Sequence, residues 1–69
     1  MDIDEDALKN FKNSKFNFVD SDGNDVDYSN LSDDATYTLR DGDAVVQDNM
    51  KAQNVVNTIN NEYGKNVNV

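Results

Sequence analysis

Apolar residues recur at two spacings along this sequence, at helical spacing near both ends and at every second position in the middle. The first helical pattern predicts a helix over residues 2–14. Asp2 is its predicted N-cap, and Glu5, three residues later, completes a capping box. The helix would place four apolar side chains on one face: Ile3, Ala7, Leu8 and Phe11.

Two alternating segments, residues 15–19 and 25–28, predict a first β-hairpin. A two-residue turn at Asp22-Gly23 would set the phenylalanines on the same face as aspartates, whereas a three-residue loop over residues 21–23 avoids this. That loop also places Gly23 at the left-handed position that such loops require. The predicted register pairs Phe18 with Val26, and Phe16 with Tyr28.

The segment TYTLRDGDAVVQ, residues 36–47, predicts a second hairpin. Asp-Gly is a favoured two-residue turn between alternating apolar residues, so Asp41-Gly42 is the predicted turn. The register then pairs Arg40 with Asp43, Leu39 with Ala44, and Tyr37 with Val46.

A second helix is predicted over residues 48–63, with Asp48 as its cap and Gly64 as its C-terminal stop. Residues 65–69 would add an edge strand through Val67 and Val69, or end without regular structure. The apolar stripe of the helix follows helical spacing: Ala52, Val55, Val56, Ile59 and Tyr63.

Together these elements predict a single small acidic domain over residues 1–69. Its class would be α+β, with two layers: a four-stranded, mostly antiparallel sheet made of two hairpins, and the N- and C-terminal helices on one face. The opposite face of the sheet would be polar.

Composition narrows the chemistry that this domain can perform. The chain has no Cys and no His, so disulfides, thiolate metal sites and the usual general base are excluded. We therefore expect no enzyme and no cofactor. No apolar run is long enough for a membrane span, and the acidic N-terminus does not resemble a signal peptide, which predicts a cytoplasmic protein without membrane contact.

Size and apolar content also bear on assembly. The hydrophobic fraction of this 69-residue chain is 36%. That is low beside the usual ~45–50%, and a core of this size is marginal. We therefore expect a homo-oligomer.

The net charge of -8 lies entirely in the middle of the chain. Nine aspartates between Asp20 and Asp48 face one base, Arg40, which gives 1 − 9 = -8, whereas five acids and five lysines cancel elsewhere. One interpretation is a solvated face that has no binding role and keeps the protein soluble. The functional interpretation is a surface that attracts Lys and Arg clusters, and that repels nucleic acid itself.

The stretch DSDGNDVDY, residues 20–28, partly matches a calcium loop. Asp20, Asp22 and Asn24 occupy its first, third and fifth positions, but Asp25 stands where the sharp turn needs Gly and Leu31 where a bidentate Glu is needed. A hairpin tip explains the same residues. Calcium binding through Asp20, Asp22 and Asn24 is kept as an alternative.

Two further stretches, YTLRDGDAV at residues 37–45 and INNEYGKNV at residues 59–67, resemble parts of a LysM domain. An insertion separates them compared with that family. The resemblance implies binding of N-acetylglucosamine polymers, and no site residues are carried over from it.

The leading functional hypothesis is a non-enzymatic interaction protein that binds the basic surface of a partner protein. A more specific version is an inhibitor of the phage type that imitates nucleic acid, since spaced carboxylates resemble DNA phosphates. The alternative is a weak calcium-binding module, or a purely structural, self-assembling one. The predicted partner-binding residues are all aspartates: Asp25, Asp27, Asp33, Asp34, Asp41 and Asp43.

Overall fold

A computed structural model describes residues 2–64. The described chain contains two helices and three strands in the order α-β-β-β-α. The elements are α1 (Glu5–Lys12), β1 (Phe16–Val19), β2 (Thr36–Asp41), β3 (Ala44–Lys51) and α2 (Ala52–Tyr63). The predicted α+β class is confirmed, but the sheet has three antiparallel strands rather than four, in the order β1-β2-β3.

Helix α1 begins two residues later than the capping box predicts. Its N-cap is Asp4, not Asp2, and the Asp4 side chain accepts a hydrogen bond from the N–H of Asp6 at 2.9 Å. Ala7 and Phe11 of α1 are buried, as the apolar spacing predicts.

The first predicted hairpin is wrong. Strand β1 pairs with β2, with Phe18 opposite Leu39, and residues 25–28 form no strand beyond an isolated bridge between Val19 and Asp25. The predicted pairs of Phe18 with Val26 and Phe16 with Tyr28 are therefore absent from the ladder. Val26 and Tyr28 instead pack beside the core as parts of a loop. Val26 and Tyr28 therefore contribute apolar contacts to the core, whereas β1 pairs with β2, which is more distant in the chain.

A hairpin of β2 and β3 is present, as predicted, but the predicted pairs of Arg40 with Asp43, Leu39 with Ala44 and Tyr37 with Val46 are wrong, and the turn lies one residue later. Asp41 pairs with Ala44, so the two loop residues are Gly42 and Asp43. Gly42 has a φ of +60°, and this is the first central position, where a type II′ turn requires glycine. Asp41 is therefore the last residue of β2 and not a residue of the turn.

Strand β3 contains two irregularities that change which residues face the core. Leu39 pairs with Gln47 and Tyr37 with Met50, so extra β3 residues lie between successive pairs. Asn49, in the second irregular stretch, has a φ of 55°. These bulges bring Met50 opposite Tyr37, where both side chains are buried.

Helix α2 begins at Ala52, because residues 48–51 complete β3. The predicted cap, Asp48, is therefore wrong: its carboxylate accepts a hydrogen bond from the Thr38 hydroxyl across the strands at 2.7 Å. The apolar stripe is confirmed, since Ala52, Val55, Val56 and Ile59 are all buried.

Gly64 is the C-cap of α2, as predicted, and its N–H donates to the carbonyl of Asn60. A Cβ at Gly64 would collide with that carbonyl. The predicted edge strand through Val67 and Val69 lies outside the described residues. Neither helix in residues 2–64 has the length and apolarity needed to cross a membrane.

The core lies between the two helices and one face of the sheet. The Phe11 ring of α1 is central to it, with centroids 5.4 Å from Phe18 and 5.2 Å from Tyr63. The buried cluster draws on every element: Ala7, Phe11, Phe18, Tyr37, Leu39, Met50, Ala52, Val55 and Ile59.

Candidate interaction surface

The long connection between β1 and β2, residues 20–35, contains six aspartates and no Lys or Arg. We call this segment the acidic loop. Its aspartates are Asp20, Asp22, Asp25, Asp27, Asp33 and Asp34. The loop is compact, because successive turns are closed by backbone hydrogen bonds, such as those from Gly23 to Asp20 and from Asn30 to Asp27.

The first turn of the acidic loop is built around Asp20. One carboxylate oxygen of Asp20 accepts hydrogen bonds from the backbone N–H groups of Asp22, at 2.9 Å, and Asn24, at 3.0 Å. Gly23 has a φ of +83°, as the left-handed position predicted for it requires. This local bonding is typical of Asp in turns and fixes the direction of the Asp20 carboxylate.

The next two aspartates are also held in place by neighbouring polar groups. Oδ1 of Asp25 accepts a hydrogen bond from the Asn17 side chain at 3.3 Å. Oδ1 of Asp27 accepts from the N–H of Ser29 at 3.1 Å and from its hydroxyl at 2.7 Å. The Ser29 bonds, with a smaller contribution from the charge of Lys12, hold the pKa of Asp27 below its ordinary value of 3.8. Asp27 is therefore ionised at neutral pH.

Two tyrosine hydroxyls attach the acidic loop to the sheet. The hydroxyl of Tyr28 accepts a hydrogen bond from the N–H of Phe18 in β1 at 3.3 Å. The hydroxyl of Tyr37 in β2 accepts one from the N–H of Ser32 at 2.9 Å. Burial raises the pKa of Tyr28, so this hydroxyl stays neutral at physiological pH. The loop is thereby fixed to the strands at two points.

Four aspartates of the acidic loop, Asp20, Asp22, Asp25 and Asp27, line one open concavity of about 390 Å³. Its other lining residues are Ser21, Val26, Asn30, Ala35 and Tyr37. Among residues 2–64, no Lys or Arg lines this concavity. The lining therefore combines acidic and apolar residues, which suits the cationic end and aliphatic stem of a Lys or Arg side chain.

The structure does not bring all six predicted partner-binding residues together. Asp25 and Asp27 line the concavity, whereas Asp33 and Asp34 lie exposed in a later turn of the acidic loop. Asp41 and Asp43 belong to the β2–β3 hairpin. Both are near cations: Lys15 lies 3.5 Å from the Asp41 carboxylate, and Arg40 lies 3.9 Å from that of Asp43.

Sequence reasoning missed the groups that hold the acidic loop in place. Asn17 and Ser29 donate hydrogen bonds to the Asp25 and Asp27 carboxylates, and the Tyr28 and Tyr37 hydroxyls join the loop to the strands. Only one had a local signal: a serine two residues after an aspartate, as in Asp27-Tyr28-Ser29, is a common turn arrangement. The other contacts join distant parts of the chain and leave no local pattern.

The alternative calcium ligands, Asp20, Asp22 and Asn24, lie in the first turn of the acidic loop. There the Asp20 carboxylate already binds backbone N–H groups of the turn. Within the described part of the chain, no group of three or more acidic side chains is arranged to hold a metal ion.

No protein-family model matches this sequence, and no curated protein or solved structure is significantly similar to it. The resemblance to LysM domains therefore stays a prediction.

Proposed function

We propose that this protein is a non-enzymatic interaction protein whose acidic loop binds a basic surface of a partner protein. The observation that carries the proposal is the concavity lined by Asp20, Asp22, Asp25 and Asp27, without a lining cation in residues 2–64. Neither of the two ion pairs in that range involves an acid of the loop. The loop charges are thus available to a partner.

The rigidity of the loop also favours binding. The Asp20, Asp25 and Asp27 carboxylates are oriented by hydrogen bonds before any partner arrives. Preorganised groups lose less conformational entropy on binding than mobile ones. The concentrated negative charge accelerates association with a basic protein at low ionic strength.

A nonalysine peptide is a suitable first probe, with affinity measured by calorimetry at several salt concentrations. Replacing Asp22 by Ser and Asp25 by Asn removes two charges from the concavity. The matched control replaces Glu5 by Gln and Asp6 by Asn, which removes two exposed charges from α1. We expect the loop variant to lose at least about tenfold in affinity, equivalent to ~1.4 kcal/mol, and the control under about threefold.

Added salt should weaken the binding steeply, because exposed charges are screened beyond ~10 Å at 0.1 M ionic strength. Equal losses in the two double variants would mean that only the net charge matters. Salt-insensitive binding would contradict the electrostatic basis of the proposal.

A narrower version of the proposal is inhibition by nucleic-acid mimicry. In that case the basic partner surface is one that binds DNA or RNA, whose phosphates the carboxylates imitate. A duplex oligonucleotide should then displace this protein from its partner competitively. Simultaneous binding of both ligands would rule out mimicry and leave the broader proposal intact.

A further inference from the structure

The two edges of the three-stranded sheet differ in how they are covered. Asp25 bridges to Val19 on the outer edge of β1, and the Tyr28 hydroxyl accepts the outward N–H of Phe18. On the other edge, no segment within residues 2–64 pairs with the outer side of β3. An open edge strand presents unpaired N–H and C=O groups that can bind another strand.

Strand β3 also exposes the apolar residues of its edge. Val45 is 60% exposed and Val46 is 52% exposed, and they are the only large hydrophobic residues this exposed among residues 2–64. Val46 borders an open groove of about 310 Å³ whose apolar lining includes Phe16, Leu39 and Tyr63. Two adjacent valines beside such a groove provide contact area for an added apolar side chain.

The irregular geometry of β3 limits how long an added strand can be. The N–H of Asn49 is already bonded to the Asp48 carboxylate at 2.8 Å, and the ladder with β2 shifts register at Val46 and again between Gln47 and Met50. The stretch left for pairing before the second shift is Ala44 to Gln47, and it contains the first shift. This length suits a short peptide segment and opposes an extended sheet between copies.

The negative charges beside the open edge of β3 favour a different partner over a second copy of this chain. An antiparallel pair of two β3 strands centred on Val45-Val46 would place Asp43 of each copy opposite Asp48 of the other, and like charges in that position are destabilising. A segment with Lys or Arg at both positions would meet opposite charges. The Asp43 side chain is fully exposed, so a partner cation can reach its carboxylate from solvent, although Arg40 lies 3.9 Å from one of its oxygens.

We propose that the open edge of β3 binds a short extended segment of a basic partner, with apolar residues opposite Val45 and Val46 and a Lys or Arg at each end. This inference rests on the proposed function, since it specifies how the basic partner is held. It differs from binding at the acidic loop alone because it requires backbone hydrogen bonds.

The probe is the peptide acetyl-Lys-Thr-Val-Val-Thr-Lys-amide, compared with the same peptide carrying N-methyl groups on alternate backbone amides. Both have the same charge, but the second lacks donors for strand pairing. We expect the methylated peptide to bind about tenfold more weakly, because it has lost N–H groups that donate to the carbonyls of β3. The unmodified peptide should shift the NMR amide signals of residues 44–47.

A matched pair of variants separates the edge from net charge. Val46→Lys places a positive charge on the edge, and Asn54→Lys makes the same charge change on an exposed position of α2. We expect Val46→Lys to weaken peptide binding about tenfold and Asn54→Lys less than about threefold. Equal effects of the two variants would overturn the edge site.

The remaining outcomes distinguish this inference from the proposed function. Equal binding of both peptides, with signal shifts confined to residues 20–35, would overturn the edge site and leave the acidic loop as the binding surface. Binding of neither hexapeptide at low salt would overturn the edge site, whereas the acidic loop is overturned only if nonalysine does not bind either. Two results would assign the edge to another occupant and refute the inference: a dimer joined through residues 44–47, or a shift of these signals on deletion of residues 65–69.

Discussion

The backbone N–H of Phe18 donates a hydrogen bond to the hydroxyl of Tyr28, with 3.3 Å between the two atoms. Phe18 is buried in β1, and Tyr28 lies in the acidic loop, where its ring also meets Phe11 edge-on at 6.0 Å. One side chain therefore covers the edge of β1 and links the charged segment to the core. The position of the acidic loop depends on this contact.

Replacing Tyr28 by Phe should destabilise the fold while leaving the aromatic packing in place. The N–H of Phe18 would lose its acceptor, which typically costs about 0.5–1.5 kcal/mol. Urea unfolding measures the change, and hydrogen exchange at Phe18 should become faster. Tyr63→Phe is the control, because the hydroxyl of Tyr63 makes no hydrogen bond within residues 2–64, although its ring contacts Phe11. Equal stability of Tyr28→Phe and the unsubstituted protein would contradict the prediction.

Replacing Ser29 by Ala should raise the pKa of Asp27. The Ser29 hydroxyl bond is the largest cause that holds this pKa below 3.8, and its loss makes protonation easier. An NMR titration of the Asp27 carboxyl carbon measures the effect. Ser21→Ala, in the same loop, should leave the titration of Asp27 unchanged.

The lowered pKa of Asp27 also predicts how stability responds to acid. Because the folded state binds this proton less tightly than the unfolded state, the Asp27–Ser29 contribution is fully present above the ordinary value of 3.8. It is lost as the pH falls through the lower folded pKa. The stability difference between the original protein and Ser29→Ala should therefore be constant at neutral pH and shrink as the pH falls below about 3.8. A difference that is independent of pH would contradict this linkage.

Replacing Asn60 by Ala should loosen the start of α1. The Asn60 side chain accepts a hydrogen bond from the N–H of Asp4 at 2.9 Å and donates one to the carbonyl of Asp2 at 3.0 Å. Their loss should lower the free energy of unfolding by about 0.5–1.5 kcal/mol and accelerate hydrogen exchange at Asp4. Asn61→Ala changes the same residue type at an exposed neighbouring position. The prediction is wrong if both variants have the same stability.

Replacing Gly42 by Ala should destabilise the β2–β3 hairpin. A Cβ at this position meets no atom within 4 Å, so the cost comes only from the left-handed backbone, with a φ of +60°. At the first central position of a type II′ turn, such a backbone costs a non-glycine residue roughly 1–3 kcal/mol. Thermal unfolding of Gly42→Ala tests the prediction, and a variant as stable as the original protein would refute it.

The helices were largely predictable because their signal is local. The apolar residues of α2, among them Val55 and Ile59, recur at helical spacing within one continuous segment. This spacing can be recognised without knowing which element the helix packs against. The start of α2 was not predictable in the same way. Asp48 is a good helix cap, but here the pairing of β3 with β2 extends through it to Lys51.

Strand pairing was predicted less well because it depends on distant residues. Apolar residues that could pair with Phe18 occur both in residues 25–28 and in β2, and the alternation of apolar and polar residues does not decide between these two partners. The turn lies one residue later than predicted because glycine can occupy either central position of a two-residue loop, depending on the turn type.

The candidate surface was predicted in its charge but not in its shape. Sequence located the excess of aspartates, and two of the six predicted partner-binding residues, Asp25 and Asp27, line the concavity. Asp20 and Asp22 complete it, although they were singled out only as alternative calcium ligands. Which carboxylates converge depends on the turn at Asp20 and on the anchor at Tyr28, and both are three-dimensional features.

The bonds from Asn60 to Asp2 and Asp4 join residues 58 and 56 positions apart in the chain. Of the five elements in residues 2–64, α1 emerges from the ribosome first, and α2, against which it packs, emerges last. The two-helix layer can therefore close only after the strands have been made, and until then their apolar face stays uncovered and open to chaperones or to aggregation.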